Sequence, residues 1–193
     1  MRRQNDFYET APWQTRALLA HQRIDGVVLE PCAGDQSIAK ILSGESSRTV
    51  VTNDIDQTRE ADYHMDAADP ELYRQVINRY GWVDWVVTNP AFAMPVCRDI
   101  VRQAVLHARK GVAMMLRISF REPTAKVNPR GSFLAQYPLS RVLTLPRYSY
   151  TQDGKSDSAT TEWAIWIMDP RYNEGPPILS LYEADRRYTI PSD

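Results

Sequence analysis

The sequence predicts an α/β fold in which a mostly parallel sheet is covered on both faces by helices. Two observations carry this: short apolar runs alternate with helical segments as far as Ile118, and each run ends in a turn residue or a carboxylate. A third is size, since 193 residues suit one domain spanning 1–193.

Pro12 opens the first helix, with Trp13, Ala17, Leu18 and His21 recurring at helical spacing. Val27-Val28-Leu29, bounded by Gly26 and Pro31, reads as a buried strand. The following helix runs from about Gln36 to Leu42, with Asp35 placed to cap it and Gly44 to end it. Val50-Val51-Thr52 is the next strand and ends in Asn53-Asp54. A further short strand is expected before Asp66. Pro70 to Tyr80 is a helix with proline at its favoured first position. Trp85 to Thr88 is a strand stopped by Asn89-Pro90. A helix from about Pro95 to Lys110 is expected to close at Gly111, and Val112 to Ile118 to form a buried strand.

The pattern changes near Phe120. Pro123, Pro129, Gly131 and Pro138 make the stretch to Arg141 mostly loop. Strands around Val142 to Leu145 and Trp163 to Met168 flank Asp153-Gly154, a hairpin turn signal that makes the pair antiparallel. After Pro176-Pro177 the tail can add one edge strand.

Composition narrows the function classes. Lys+Arg 23 against Asp+Glu 24 leaves a net charge of −1, which excludes a histone-like binder driven by bulk basicity. A hydrophobic content of 43% with 24% charged residues is that of a globular chain rather than a disordered one. No apolar run is long enough to span a bilayer, and residues 1–6 lack the apolar stretch of a signal peptide. Cys32 and Cys97 form no short-spaced pair, so a reduced, cytoplasmic protein is expected. His21, His64 and His107 are scattered and suggest no metal site.

Three motifs carry chemistry. In Leu29-Glu30-Pro31-Cys32-Ala33-Gly34-Asp35, a strand ends in an acid and turns through glycine into a helix. That arrangement builds a ligand site at a strand's carboxyl end, although an ordinary strand-to-helix turn has the same appearance. Gly34 lets backbone approach a ligand, and Glu30 can accept from an ammonium or hydroxyl. A lone glycine gives little support to a dinucleotide pyrophosphate cradle. Asp54 follows 20 residues later, the spacing at which a carboxylate reaches the ribose hydroxyls of a nucleoside-containing cofactor. Ile55 can lie against its adenine ring. Asp66 can accept from the adenine amino group, or it is a solvated loop acid.

The third motif is Val87-Thr88-Asn89-Pro90-Ala91-Phe92. With it, the order of pieces resembles the class I S-adenosylmethionine-dependent amino-methyltransferases, whose active site reads Asp/Asn/Ser-Pro-Pro-aromatic. The segment Asp6-Phe7-Tyr8-Glu9-Thr10-Ala11-Pro12-Trp13 is similar to that family's cofactor-binding N-terminal motif, which implies cofactor contacts for Tyr8 and Thr10. That opening, with the stretch from Leu145-Pro146-Arg147-Tyr148 to Trp163-Ala164-Ile165-Trp166, also resembles short phage and prophage DNA adenine-N6 methyltransferases. The resemblance covers most of residues 5 to 168. It implies a Rossmann-like fold with a seven-stranded, mostly parallel sheet ending in an antiparallel hairpin. It implies S-adenosyl-L-methionine as cofactor, held by Tyr8, Thr10, Glu30, Pro31, Gly34, Asp54, Ile55 and Asp66. Methylation of adenine N6 in DNA by base flipping would then fall to Asn89, Pro90 and Phe92.

The chemistry needs those residue types. An exocyclic amino group is a poor nucleophile because its lone pair is conjugated into the ring. The Asn89 side-chain oxygen and the Pro90 carbonyl can each accept one of its N–H bonds and turn the lone pair outward, while Phe92 stacks on the flipped base. Two positions depart from the family pattern. Gln36 stands where a second glycine is common and is expected to narrow the pocket or reshape the loop. Ala91 replaces the second proline, which mainly stiffens the turn.

Charge is uneven along the chain. Residues 53–73 hold Asp54, Asp56, Glu60, Asp62, Asp66, Asp69 and Glu71 against Arg59. Residues 121–155 hold Arg121, Lys126, Arg130, Arg141, Arg147 and Lys155 against Glu122 and Asp153. Loops at about 121–141 and 147–160 are therefore expected on the substrate side, with residues 170–193 as an extension. There Arg121, Lys126, Arg130, Arg147 and Lys155 would meet phosphate, and Tyr148 and Tyr150 would stack on bases. No separate target-recognition domain fits in the remaining length, so a short or relaxed target sequence, a homodimer or an accessory recognition subunit is expected. DNA is favoured. RNA adenine, protein glutamine and a non-catalytic cofactor binder stay open as alternatives.

Overall fold

The computed structural model describes residues 10–121, 134–146 and 160–181. Its centre is a sheet of seven strands: β1 (Gly26–Glu30), β2 (Arg48–Thr52), β3 (Val83–Thr88), β4 (Ala108–Arg117), β5 (Arg141–Thr144), β6 (Thr161–Ile167) and β7 (Ile178–Ser180). Their order is β2-β1-β3-β4-β6-β5-β7, and β6 alone runs against its neighbours. The expected antiparallel pair is therefore β5 and β6, and the tail supplies β7 at the edge. The Asp153-Gly154 turn lies outside the described residues.

Side chains alternate between the two faces, as the pleat requires. Leu29, Val86, Val112 and Met114 face α3 (Pro70–Tyr80) and α4 (Met94–His107), against Leu72, Tyr73, Val76, Ile100 and Val101. Val28, Trp85, Val87 and Trp163 face α1 (Pro12–His21) and α2 (Ser37–Leu42), against Trp13, Ala17, Leu18, Ile38 and Leu42. All six residues of β3 are buried, which is why that strand reads as a nearly continuous apolar run.

Local chemistry explains where expectation and structure part. The α3 boundaries agree because each end has its own determinant. Asp69 accepts from the Glu71 N–H at 2.8 Å, Pro70 occupies the first position, and Gly81 closes the helix at φ 86°. α4 stops at His107 instead of Lys110, because Ala108 already pairs with Val83 in the sheet. Gly111 is no helix terminator: it lies within β4, where a Cβ would come 2.5 Å from the Trp85 ring. α2 begins after Gln36, with Asp35 accepting from the Ser37 N–H, and ends at Leu42 before Gly44. The short strand expected before Asp66 is reduced to one bridge between Asn53 and Tyr63.

Candidate active site

The parallel strands deliver Glu30, Asp54 and Asn89 to one end of the sheet. There a cavity of about 330 Å³ is lined by Thr10, Glu30, Pro31, Gly34, Asp54, Ile55, Asp66 and Asn89 among others. These are eight of the residues singled out from sequence, drawn from five separate stretches of chain. Pro90 is buried and, like Phe92, does not contribute to the lining. Phe92 instead packs its ring against the Arg117 guanidinium, 5.0 Å from ring centroid to Cζ. Tyr8, Lys126, Arg130, Arg147, Tyr148, Tyr150 and Lys155 lie outside the described residues.

The glycine turn is braced from the next strand. Asp54 accepts from the Gly34 N–H at 2.7 Å through one carboxylate oxygen and from the Asp56 N–H at 2.9 Å through the other. Gly34 has φ 55°, and Gln36 follows at φ 64°, a left-handed conformation that costs a non-glycine residue about 1–2 kcal/mol. The expectation that Gln36 would narrow the pocket or reshape the loop is not met. The backbone adopts the left-handed geometry a glycine would take, and the side chain leaves the cavity to donate to the Glu60 carbonyl at 2.6 Å.

Glu30 is 1% exposed, and one carboxylate oxygen has no hydrogen-bond partner among the described residues. Burial pushes this carboxyl well above the usual range. The Ala39 N–H, in the first turn of α2, opposes the shift, while the negative charges of Asp35 and Asp54 add to it. Ile55 projects at 57% exposure from the cavity wall. Asp66 is exposed and accepts from the Ala68 N–H at 2.8 Å, so it both shapes its own turn and lines the cavity.

Asn89 donates from Nδ2 to the Thr10 hydroxyl at 3.1 Å, and its Oδ1 is shielded from solvent. The contact joins the N-terminal segment to the end of β3 across 79 positions of sequence.

Sequence reasoning missed Asn53, which is fully buried. It donates to the carbonyls of Pro31 (2.8 Å) and Met65 (3.0 Å) and accepts from the Met65 N–H (2.9 Å). One amide thereby ties together the loops that carry Gly34, Asp54 and Asp66. It also missed Arg59 and the wall formed by Ala93, Val96 and Ile100. The four-residue spacing of Val96 and Ile100 on α4 was the available signal for that wall. Two bases of the 121–155 stretch are committed to partners within the fold, Arg121 from the expected phosphate contacts and Arg141 from the wider charge run. Arg121 makes paired hydrogen bonds to buried Glu162 at 2.5 and 2.8 Å. Arg141 is 5% exposed at the opposite end of the sheet, donating to His21, Gln22 and Pro176.

No family model and no curated protein matches the sequence. Solved structures do match the fold. A Listeria monocytogenes protein assigned to the class I S-adenosylmethionine-dependent methyltransferases superposes with a TM-score of 0.56 at 14% identity, over 93% of this chain and 66% of its own. The M protein of the type I restriction enzyme EcoKI gives 0.59 at 10% identity, over 94% of this chain and 50% of its own. A Pyrococcus horikoshii protein assigned as an RNA methyltransferase gives 0.52 at 13%, over 84% and 86%. The chain thus spans just under two thirds of the Listeria protein and half of the M protein. The fold is the Rossmann-like one of the class I methyltransferases.

Proposed function

We propose that this chain is an S-adenosyl-L-methionine-dependent methyltransferase acting on the N6 amino group of adenine in DNA. The observation that carries the reading is the meeting of Glu30, Asp54 and Asn89 around one cavity, in the order the amino-methyltransferase resemblance implies. The donor set fits the cofactor. It is cationic at its sulfonium and ammonium, and the cavity is lined by Glu30, Asp35, Asp54, Asp56 and Asp66 against Arg59. Glu30 has a buried oxygen without a partner among the described residues, which an ammonium would satisfy. Asp54 would accept from the ribose hydroxyls, and Ile55 would cover the adenine. When bound, the cofactor supplies a methyl group already activated by its sulfonium.

The chain's own contribution is then positional. Thr10 accepts from the Asn89 amide nitrogen and so orients the amide, whose oxygen has the chemistry to accept from a target amino group. The Pro90 carbonyl accepts the second N–H and draws the nitrogen toward tetrahedral geometry, and Phe92 supports the base. Low exposure around Asn89 strengthens these polar contacts by excluding water.

The structures it resembles include a restriction-enzyme M protein and a protein assigned as an RNA methyltransferase, which supports a nucleic-acid substrate. Target recognition is by a short or relaxed sequence, or through a second copy or an accessory subunit. Among the described residues no helix is long and apolar enough to cross a membrane.

Incubation with methyl-labelled cofactor and DNA, RNA or protein, followed by mass identification of the product, tests the reading. N6-methyladenine in DNA is expected. Label in RNA adenine or protein glutamine would move the substrate class, and cofactor binding without transfer to any of them would leave a binding protein.

A further inference from the structure

We propose that Arg117 is the anion anchor of the substrate side, gripping the phosphate beside the target base while holding Phe92 in place. The inference rests on the nucleic-acid reading and adds a residue and a ligand chemistry to it. Arg117 ends β4, three positions beyond Met114, whose partner in β3 is Thr88, the residue before Asn89. Its guanidinium therefore sits beside the Asn89 segment, against the Phe92 ring at 5.0 Å.

Two features set this cation apart. Its Nε is shielded from solvent and has no hydrogen-bond partner among the described residues. The acid on the adjoining strand, Glu162, is fully engaged by Arg121, so Arg117 has no carboxylate partner among the described residues. A desolvated guanidinium donor is costly until a ligand supplies the acceptor. The cavity side of the site is acidic, whereas the Phe92 side carries a positive charge that no carboxylate among the described residues pairs with. That polarity suits a cationic cofactor at one side and an anionic substrate at the other.

The anion has two chemical sources, a nucleotide phosphate or the carboxylate of the cofactor. Arg117 does not line the cofactor cavity, which favours the nucleotide. The guanidinium fork binds phosphate through paired N–H donors, and a cation on one face of Phe92 fixes the plane on which a base stacks.

The test compares 2′-deoxyadenosine 5′-monophosphate with 2′-deoxyadenosine by titration into wild type, Arg117→Met and Arg117→Lys. S-adenosyl-L-methionine is titrated separately into all three. The phosphate should improve affinity about tenfold or more in wild type. Arg117→Met should erase that advantage, Arg117→Lys should restore part of it, and cofactor affinity should stay the same throughout. A phosphate advantage that survives in Arg117→Met, or is absent in wild type, overturns the proposal. So does a fall in cofactor affinity in Arg117→Met, which would assign the anion to the cofactor. Failure of wild type to bind the cofactor counts against the methyltransferase reading instead, and the nucleotide titration still judges Arg117.

Discussion

At the N-terminal ends of the parallel strands, Asp84 is 2% exposed and accepts from Arg109 at 2.7 Å and from the Val27 N–H at 2.9 Å. At their C-terminal ends, Glu30 is as deeply buried and keeps an oxygen without a partner among the described residues. The lower acids form a closed network. Lys110 bridges Asp84 at 3.3 Å and Asp25 at 2.5 Å, and the Tyr172 hydroxyl donates to Asp25 at 2.8 Å. Burial alone would raise the Asp25 carboxyl, but hydrogen bonds from Lys110 and Tyr172, with the positive charges of Lys110 and Arg23, leave it below the usual range. Gly26 belongs to the same device, since a Cβ there would come within 2.0 Å of the Asp84 carboxylate. The same strands thus carry satisfied charge at one end and unsatisfied charge at the other. The first arrangement holds the sheet together; the second costs stability and is retained where a ligand can complete it.

The contrast can be broken most forcefully from below. Asp84→Ala removes the carboxylate that Arg109 and the Val27 N–H donate to and leaves Lys110 with Asp25 alone, and should cost about 3 kcal/mol in urea unfolding, the low end for a broken buried pair because Arg109 is half exposed. Cofactor affinity of the folded variant should not change. An unfolding loss below about 0.5 kcal/mol would make the lower network ornamental. From above, Asp54→Ala should weaken S-adenosyl-L-methionine binding by about 1.5–3 kcal/mol in calorimetry. Asp54→Asn can still brace Gly34 but lacks the charge, so a full recovery of affinity would assign the effect to loop geometry rather than to the cofactor's hydroxyls.

Glu30→Gln sharpens the comparison by separating stability from binding. The folded protein holds the Glu30 proton more tightly than the unfolded chain does. Wild-type stability therefore falls as pH rises from the usual carboxylate range through the raised pKa. The amide has no such loss, so the variant should melt higher than wild type at neutral pH and equally at pH below the usual range. At this chain length each kcal/mol moves Tm by about 2–4 °C. Its cofactor affinity should fall, and a variant that neither gains stability nor loses affinity would contradict the assignment. Gln36→Gly is the smallest test. Relief of about 1 kcal/mol of backbone strain is offset by the lost bond to Glu60 and by glycine's freer unfolded chain. The net change should stay within about 1 kcal/mol, with cofactor affinity intact.

What could be read in advance was local. Asp69, Pro70 and Gly81 mark α3 within a few residues of its ends, and the motifs holding Gly34 and Asp54, 20 residues apart, do meet at one cavity, although the direct bond between them was not foreseen. What escaped was long-range. Asn53 looks like any strand-ending asparagine until three loops converge on it. Gly111 resembles a helix stop, and only the Trp85 ring across the sheet explains it. Arg121 and Arg141 counted as free basic residues in a one-dimensional charge tally, yet each is committed to a partner 41 or 119 positions away. Gln36 shows the converse: backbone geometry survived a side chain that the pattern of glycines would not predict.

The central claim is that the C-terminal end of the sheet separates cofactor binding from chemistry, with Asn89 serving only the second. Single-turnover methyl transfer to adenine-containing DNA by Asn89→Ala, with cofactor affinity measured on the same preparation, tests it most directly. The account predicts a loss of about a hundredfold or more in rate with cofactor affinity near that of wild type. Wild-type turnover in Asn89→Ala would contradict it.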